Sequence, residues 1–117
     1  MRRYFASFAA LFLLSACAQN ASNTGPTLSC NFPSNDYCFD YTSGYSLAIA
    51  QESCGANGGT FSNSANCATT SRVGSCTIPN TTTDQTYVQR YYSPHWTTTT
   101  AQTDCASAGV AATFAPN

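Results

Sequence analysis

Six cysteines, Cys30, Cys38, Cys54, Cys67, Cys76 and Cys105, are spread along the chain with no two in a Cys-x-x-Cys pair, and they constrain the fold more than any other feature. With 117 residues, the chain sits near the lower end of what one hydrophobic core can hold. Only 8% of it is charged, and lysine is absent, so hydroxyls and amides must keep the surface wet. The single histidine, His95, is remote in sequence from every cysteine, so neither a metal site nor any cofactor is expected. Three disulfides are the alternative, each worth about 2 to 4 kcal/mol, largely by limiting the unfolded chain. Spacing alone leaves many pairings open. The reading favours Cys54 with Cys67, across the end of a helix, and Cys38 with Cys76, on neighbouring strands. Cys30 then takes Cys105.

A seventh cysteine has a different setting. Arg2 and Arg3 give a positive start, residues 4–14 are apolar, and Ser15 and Ala16 are small, which is the layout of a secretory signal. The apolar run is too short for a stable membrane span, which needs roughly 20 residues. Leu14-Ser15-Ala16-Cys17 resembles the lipobox of bacterial lipoproteins. That resemblance implies cleavage before Cys17, a thioether from its sulfur to diacylglycerol, and export to a compartment where the other six thiols can oxidise. Ala18, where an inner-membrane lipoprotein has Asp, points to the outer membrane. The expected divisions are a signal peptide at 1–16, a lipidated tether at 17–29, polar and broken by Gly25 and Pro26, and a disulfide-rich domain at 30–117.

Without the signal, two arginines, Arg72 and Arg90, face five acids, Asp36, Asp40, Glu52, Asp84 and Asp104, a net charge of −3. A domain of that charge cannot neutralise a row of phosphates, which excludes nucleic acid as a partner. It also lacks a basic patch for anionic lipid. Any membrane attachment must be covalent or hydrophobic, and the lipid that the lipobox resemblance implies on Cys17 would supply it.

Comparing the chain with itself at an offset of 51 sets Tyr41 on Tyr92, Tyr45 on Trp96, Ala50 on Ala101, Cys54 on Cys105 and Gly58 on Gly109. After a two-residue insertion, Phe61 falls on Phe114. The matches suggest two related halves. Residues 37–42 alternate as a half-buried strand. Ser46 caps a helix whose inner face is Leu47, Ala50 and Cys54, ended by Gly58-Gly59. The second half repeats this with strand 86–93, a cap at Thr97 or Thr98, inner positions Ala101, Cys105 and Ala108, and Gly109. Residues 72–78 form a strand between them. The order predicts an α+β domain, an antiparallel sheet with two helices on one face, with a ferredoxin-like pairing of βαβ halves as one way to assemble it.

Cys38-Phe39-Asp40-Tyr41-Thr42, Cys54 through Gly58-Gly59-Thr60-Phe61, and Arg72-Val73-Gly74-Ser75-Cys76 resemble a loose group of small cysteine-rich bacterial envelope lipoproteins. The resemblance implies an envelope location and carries no activity.

No catalytic constellation is legible. His95 lies in Ser93-Pro94-His95-Trp96, which reads as a turn, and the acids form no close pair. Tyr91, Tyr92 and Trp96 are the candidate binding residues, since aromatic faces beside hydroxyls suit sugars or a protein partner. The expected function is a non-enzymatic envelope lipoprotein that binds a protein or a glycan. The alternative is a periplasmic inhibitor or stress protein acting on an envelope enzyme.

Overall fold

The computed structural model describes residues 27–117. The signal at 1–16, the lipobox with Cys17, and the tether as far as residue 26 lie outside the described residues. The elements are β1 (Leu28–Phe32), β2 (Tyr37–Ser43), α1 (Leu47–Ala56), β3 (Thr60–Ser62), β4 (Arg72–Asn80), β5 (Gln85–Tyr92), α2 (Thr98–Ser107) and β6 (Thr113–Pro116), with a short 3-10 turn, Pro33–Asn35, between the first two strands. They form one six-stranded antiparallel sheet in the order β3-β1-β2-β5-β4-β6.

Register decides which side chains share a face. Phe61, Cys30, Phe39, Gln89, Cys76 and Phe114 stand directly opposite one another in turn, one row across all six strands. Cross-strand partners point the same way. Cys30 is bonded to Cys54 of α1 and Cys76 to Cys105 of α2, so both helices cover this face. The class is therefore α+β, a disulfide-stapled sheet with two helices on one side.

The halves β1-β2-α1-β3 and β4-β5-α2-β6 are related by an approximate two-fold axis between Phe39 and Gln89. Leu28 matches Gly74, Cys30 matches Cys76 and Phe32 matches Ile78; on the central strands Tyr37 matches Tyr87 and Tyr41 matches Tyr91. The sequence offset of 51 set Tyr41 on Tyr92, but the strand register places it with Tyr91, one residue earlier. Each half has a core around its disulfide. Leu28, Cys30, Phe32, Tyr41, Ala50 and Cys54 form one, and Cys76, Tyr91, Ala101 and Cys105 form the other. Alanines at 50 and 101 let each helix sit close to the sheet. Gly59 has the same reason to be small, because a Cβ there would run into Cys30 Sγ and the Phe32 ring.

Three expectations change. The disulfides are Cys30–Cys54, Cys38–Cys67 and Cys76–Cys105, so none of the three expected pairings forms. Cys38 pairs in register with Arg90, which pairs with Ser75, whereas Cys76 belongs to the neighbouring row. Cys38 and Cys76 thus point to opposite faces with β5 between them, and no bond can join them. The second change is β1, which begins at Leu28, so Leu28 and Ser29 are buried sheet residues and not the end of a tether. Third, that extra strand makes the first half ββαβ like the second, and the sheet order is not ferredoxin-like.

Candidate ligand-binding cleft

On the face away from the helices, the first half carries a feature the second lacks. Residues 63–71 leave β3 and cross that face as a strap of serines, asparagines, alanines and threonines, with hardly an apolar side chain to hold it down. Polar and covalent ties hold it instead. Cys67 is bonded to Cys38 on β2. The Cys67 amide donates to Asp40 Oδ1 at 2.8 Å, and Ser29 Oγ donates to the Ala65 carbonyl at 2.7 Å. Arg72 Nη2 donates to the carbonyls of Cys67 and Ala68, at 3.2 and 2.7 Å, and Tyr92 Oη donates to the same Ala68 oxygen at 2.8 Å.

Asp40 organises this face. It is only 4% exposed, and a carboxylate that deep is costly unless it is paired and hydrogen-bonded. Its second oxygen accepts from Arg90 Nε at 2.8 Å, and Arg90 Nη1 donates on to Ser75 Oγ at 2.9 Å. The network joins β2, β5, β4 and the strap, so the strap is fixed relative to the sheet at several points.

Between strap and sheet lies a cleft of about 510 Å³, within the size range of small-molecule sites. Asn31 of β1, Thr60 and Ser62 of β3, and Asn66, Thr70 and Ser71 of the strap supply amides and hydroxyls; Asp36 supplies one carboxylate, and Pro33 and Tyr92 supply apolar surface. The Cys38–Cys67 bridge lies in its wall. Burial pushes the Tyr92 phenol above the ordinary tyrosine range, against the opposing pull of Arg72. It is therefore a neutral hydrogen-bonding group at physiological pH.

Chemically, the cleft offers many neutral donors and acceptors, one carboxylate, and one aromatic ring. Such a lining can hold a polyhydroxylated ligand by hydrogen bonds while a ring packs on an apolar face. Among the described residues, no group of three His, Cys, Asp or Glu is placed to hold a metal ion, and no helix is long and apolar enough to cross a membrane.

No protein family, curated protein sequence or solved structure matches this chain. Function must be read from the site itself.

The structure separates the three aromatic residues singled out from sequence. Tyr92 lines the cleft. Tyr91 is fully buried on the opposite face under α2, where its hydroxyl donates to Asp104 Oδ2 at 2.8 Å. Burial, reinforced by that carboxylate, drives its phenol far above the usual range. Trp96 is half-buried at the entry to α2, its ring edge-on to Tyr91 at 4.8 Å and its Nε1 donating to the Asn35 carbonyl at 2.8 Å. His95 is exposed beside it, 5.3 Å between ring centroids. Tyr91 and Trp96 thus pack the second core and its rim, and only Tyr92 belongs to the cleft. Sequence reasoning passed over Asn31, Asp36, Asn66 and Ser71. The signal available was Cys67, since a cysteine isolated in a polar loop marks a loop that is tied to something.

Proposed function

We propose that this chain is an exported lipoprotein, anchored by lipid on Cys17 to the outer membrane, whose disulfide-built domain binds a glycan without chemical conversion. The cleft beside Tyr92 carries the reading, because it combines a pocket-sized volume with a lining of hydroxyls, amides and one aromatic ring. The strap's covalent tie to β2 supports it further, since a pre-formed site spends less binding energy on ordering itself. The lipobox residues and the polar, lysine-free surface fit an envelope address.

Titration of the oxidised chain, solubilised in detergent, with soluble envelope oligosaccharides tests the reading by amide chemical shifts. Shifts should concentrate at Asn31, Asn66, Ser71 and Tyr92. Tyr92→Phe keeps the ring and should hold affinity within a few-fold, while Tyr92→Ala should weaken it by about tenfold, the equivalent of roughly 1.4 kcal/mol. Shifts confined to other surfaces, or none with any oligosaccharide, would sink the glycan assignment. Mass spectrometry of the native product tests the anchor separately: a diacylglyceryl group on an amino-terminal Cys17 is expected, and an intact signal would exclude it.

A further inference from the structure

The large apolar side chains that are exposed are not scattered over the domain. Leu47 and Ile49, in the first turn of α1, are 49% and 46% exposed, so Leu47 does not join Ala50 and Cys54 on the inner face as the sequence pattern predicts, and Val110, after α2, is fully exposed. Strand direction places all three at one pole. Leu28, where β1 begins, pairs with Tyr41 near the end of β2, and α1 starts four residues after β2 ends, so the α1 amino terminus and the start of β1 share an end of the sheet. β6 begins opposite Thr77, near the end of β4, and β4 ends beside the start of β5, which pairs with the end of β2. Val110, just before β6, is therefore at the same end. The opposite pole holds the 33–36 turn, Arg72, Tyr92 and Trp96.

The two-fold relation provides an internal control. Leu47, Ala48 and Ile49 correspond to Thr98, Thr99 and Thr100 of α2, which begins at the opposite pole. The same structural position is apolar at one end of the domain and hydroxylated at the other, so neither packing nor helix formation requires Leu47 and Ile49.

The chain itself says what lies at this pole. β1 starts here, so the residues leading back to Cys17 depart from here, and residues 18–28 span at most roughly 40 Å even when fully extended. Charge agrees. Arg72 is at the far pole and Arg90 is on the helix-free face, leaving the 81–84 turn with Asp84 as the charged element at this end. A base with no cation suits zwitterionic headgroups over anionic ones.

We infer that this pole is a membrane-seating base: Leu47 and Ile49 on one side and Val110 on the other rest on a zwitterionic lipid surface, holding the domain upright with the Tyr92 end pointing away. The inference rests on the lipid anchor proposed above, which brings the base within reach of the bilayer but does not by itself orient it. Nine-residue β4 spans about 30 Å, so an upright domain carries its far pole about that distance above the lipid.

The test uses the lipidated full-length chain in phosphatidylcholine–phosphatidylethanolamine nanodiscs carrying a gadolinium-chelating headgroup lipid, with isoleucine and valine methyls labelled. Retention on the discs reads the anchor, and relaxation of individual methyls reads the orientation. Ile49 and Val110 should be broadened at least about threefold more than Val73 at the far pole, and in the double substitution Leu47→Thr, Ile49→Thr the ratio of Val110 to Val73 broadening should fall towards one while the protein stays on the discs. Retention with equal broadening of Ile49 and Val73 would overturn the base and leave the anchor standing. Failure of the chain to stay on the discs would overturn both. Protection of Ile49 without lipid, accompanied by a doubled mass, would give the patch to a second copy and also overturn the inference.

Discussion

In the second half of the sheet, Tyr91 donates its hydroxyl to Asp104 on α2; in the first, the matching Tyr41 hydroxyl is buried with no partner at hydrogen-bonding geometry, and Ser53 of α1 stands at the position of Asp104. The first half has a third disulfide and a strap that the second lacks. The second half has a reciprocal cap at the start of its helix where the first has a single bond. One ββαβ skeleton therefore supports two specialisations. The tyrosine–carboxylate bond and the reciprocal cap belong to the second half, while the cleft and the apolar base draw mainly on the first. Residues that differ across the two-fold axis mark where something beyond folding is being served, and residues that match mark the skeleton.

The largest effects should come from the disulfides, which divide into a matched pair and an unmatched one. Cys30→Ala with Cys54→Ala, and Cys76→Ala with Cys105→Ala, each untie a helix from the sheet in a fully buried setting, and each should lower unfolding free energy by about 2 to 5 kcal/mol in denaturant titrations. Cys38→Ala with Cys67→Ala unties only the strap. It should leave both helix cores protected from hydrogen exchange while the amides of 63–71 exchange faster. Loss of the whole core on removing the unmatched bridge would erase the distinction between skeleton and site.

The hydroxyl pair sharpens the comparison at the next scale. Asp104→Ala strands the buried Tyr91 hydroxyl, and also removes the acceptor 3.4 Å from Gln89 Nε2, so it should lower stability by about 1.5 to 3 kcal/mol, the range for hydrogen bonds to charged groups. Ser53→Ala removes no formed bond to Tyr41 and should stay within about 0.5 kcal/mol. Equal losses from the two substitutions would show that the carboxylate is incidental.

Alkaline titration separates the same two tyrosines without mutation. Burial raises both phenols above their ordinary value, and Asp104 adds to the effect only for Tyr91. A raised folded-state pKa means the folded protein holds its proton where the unfolded chain releases it. The contribution is complete below the unfolded value of about 10, and stability falls as pH climbs above that value towards the folded one. Ultraviolet difference absorbance should show Tyr91 ionising last, together with unfolding. In Asp104→Asn, which removes the negative charge, Tyr91 should ionise at lower pH while Tyr41 is unchanged.

How much of this the sequence disclosed follows from what each element needs. Residues 37–42, 72–78 and 86–93 read as strands because alternation and β-branched or aromatic residues act locally, and the Ser46 and Thr97 caps are local too. β1 is as regular, with Leu28, Cys30 and Phe32 alternating against Ser29 and Asn31, yet five residues beside a polar tether offer too short a period to stand out. The disulfide pairing depended on that strand. Without a strand under α1, Cys30 had no near partner, and the two mistaken neighbours followed. The cleft was illegible for a different reason: its lining comes from a turn, two edge-side strands and a strap that meet only in three dimensions, and amides and hydroxyls have no spacing signature.

The smallest effect bears most directly on why the halves differ. Thr97 and Thr100 cap α2 reciprocally, the Thr97 amide donating to Thr100 Oγ1 at 2.9 Å and the Thr100 amide to Thr97 Oγ1 at 3.2 Å. At α1, Ser46 Oγ accepts from the Ile49 amide at 3.3 Å, and Ile49 has nothing to return. Ile49→Thr would supply the missing acceptor in a side chain of similar branching, exposed and in contact with no buried core cluster. It should stabilise the isolated domain by a few tenths to about 1 kcal/mol in denaturant titrations, against a loss of about 1 kcal/mol for Thr97→Ala. A position where a more stabilising residue is one substitution away, and is present in the other half, is held by a requirement other than folding. If Ile49→Thr proves destabilising, Ile49 belongs to the fold after all and the case for an apolar base loses its internal control.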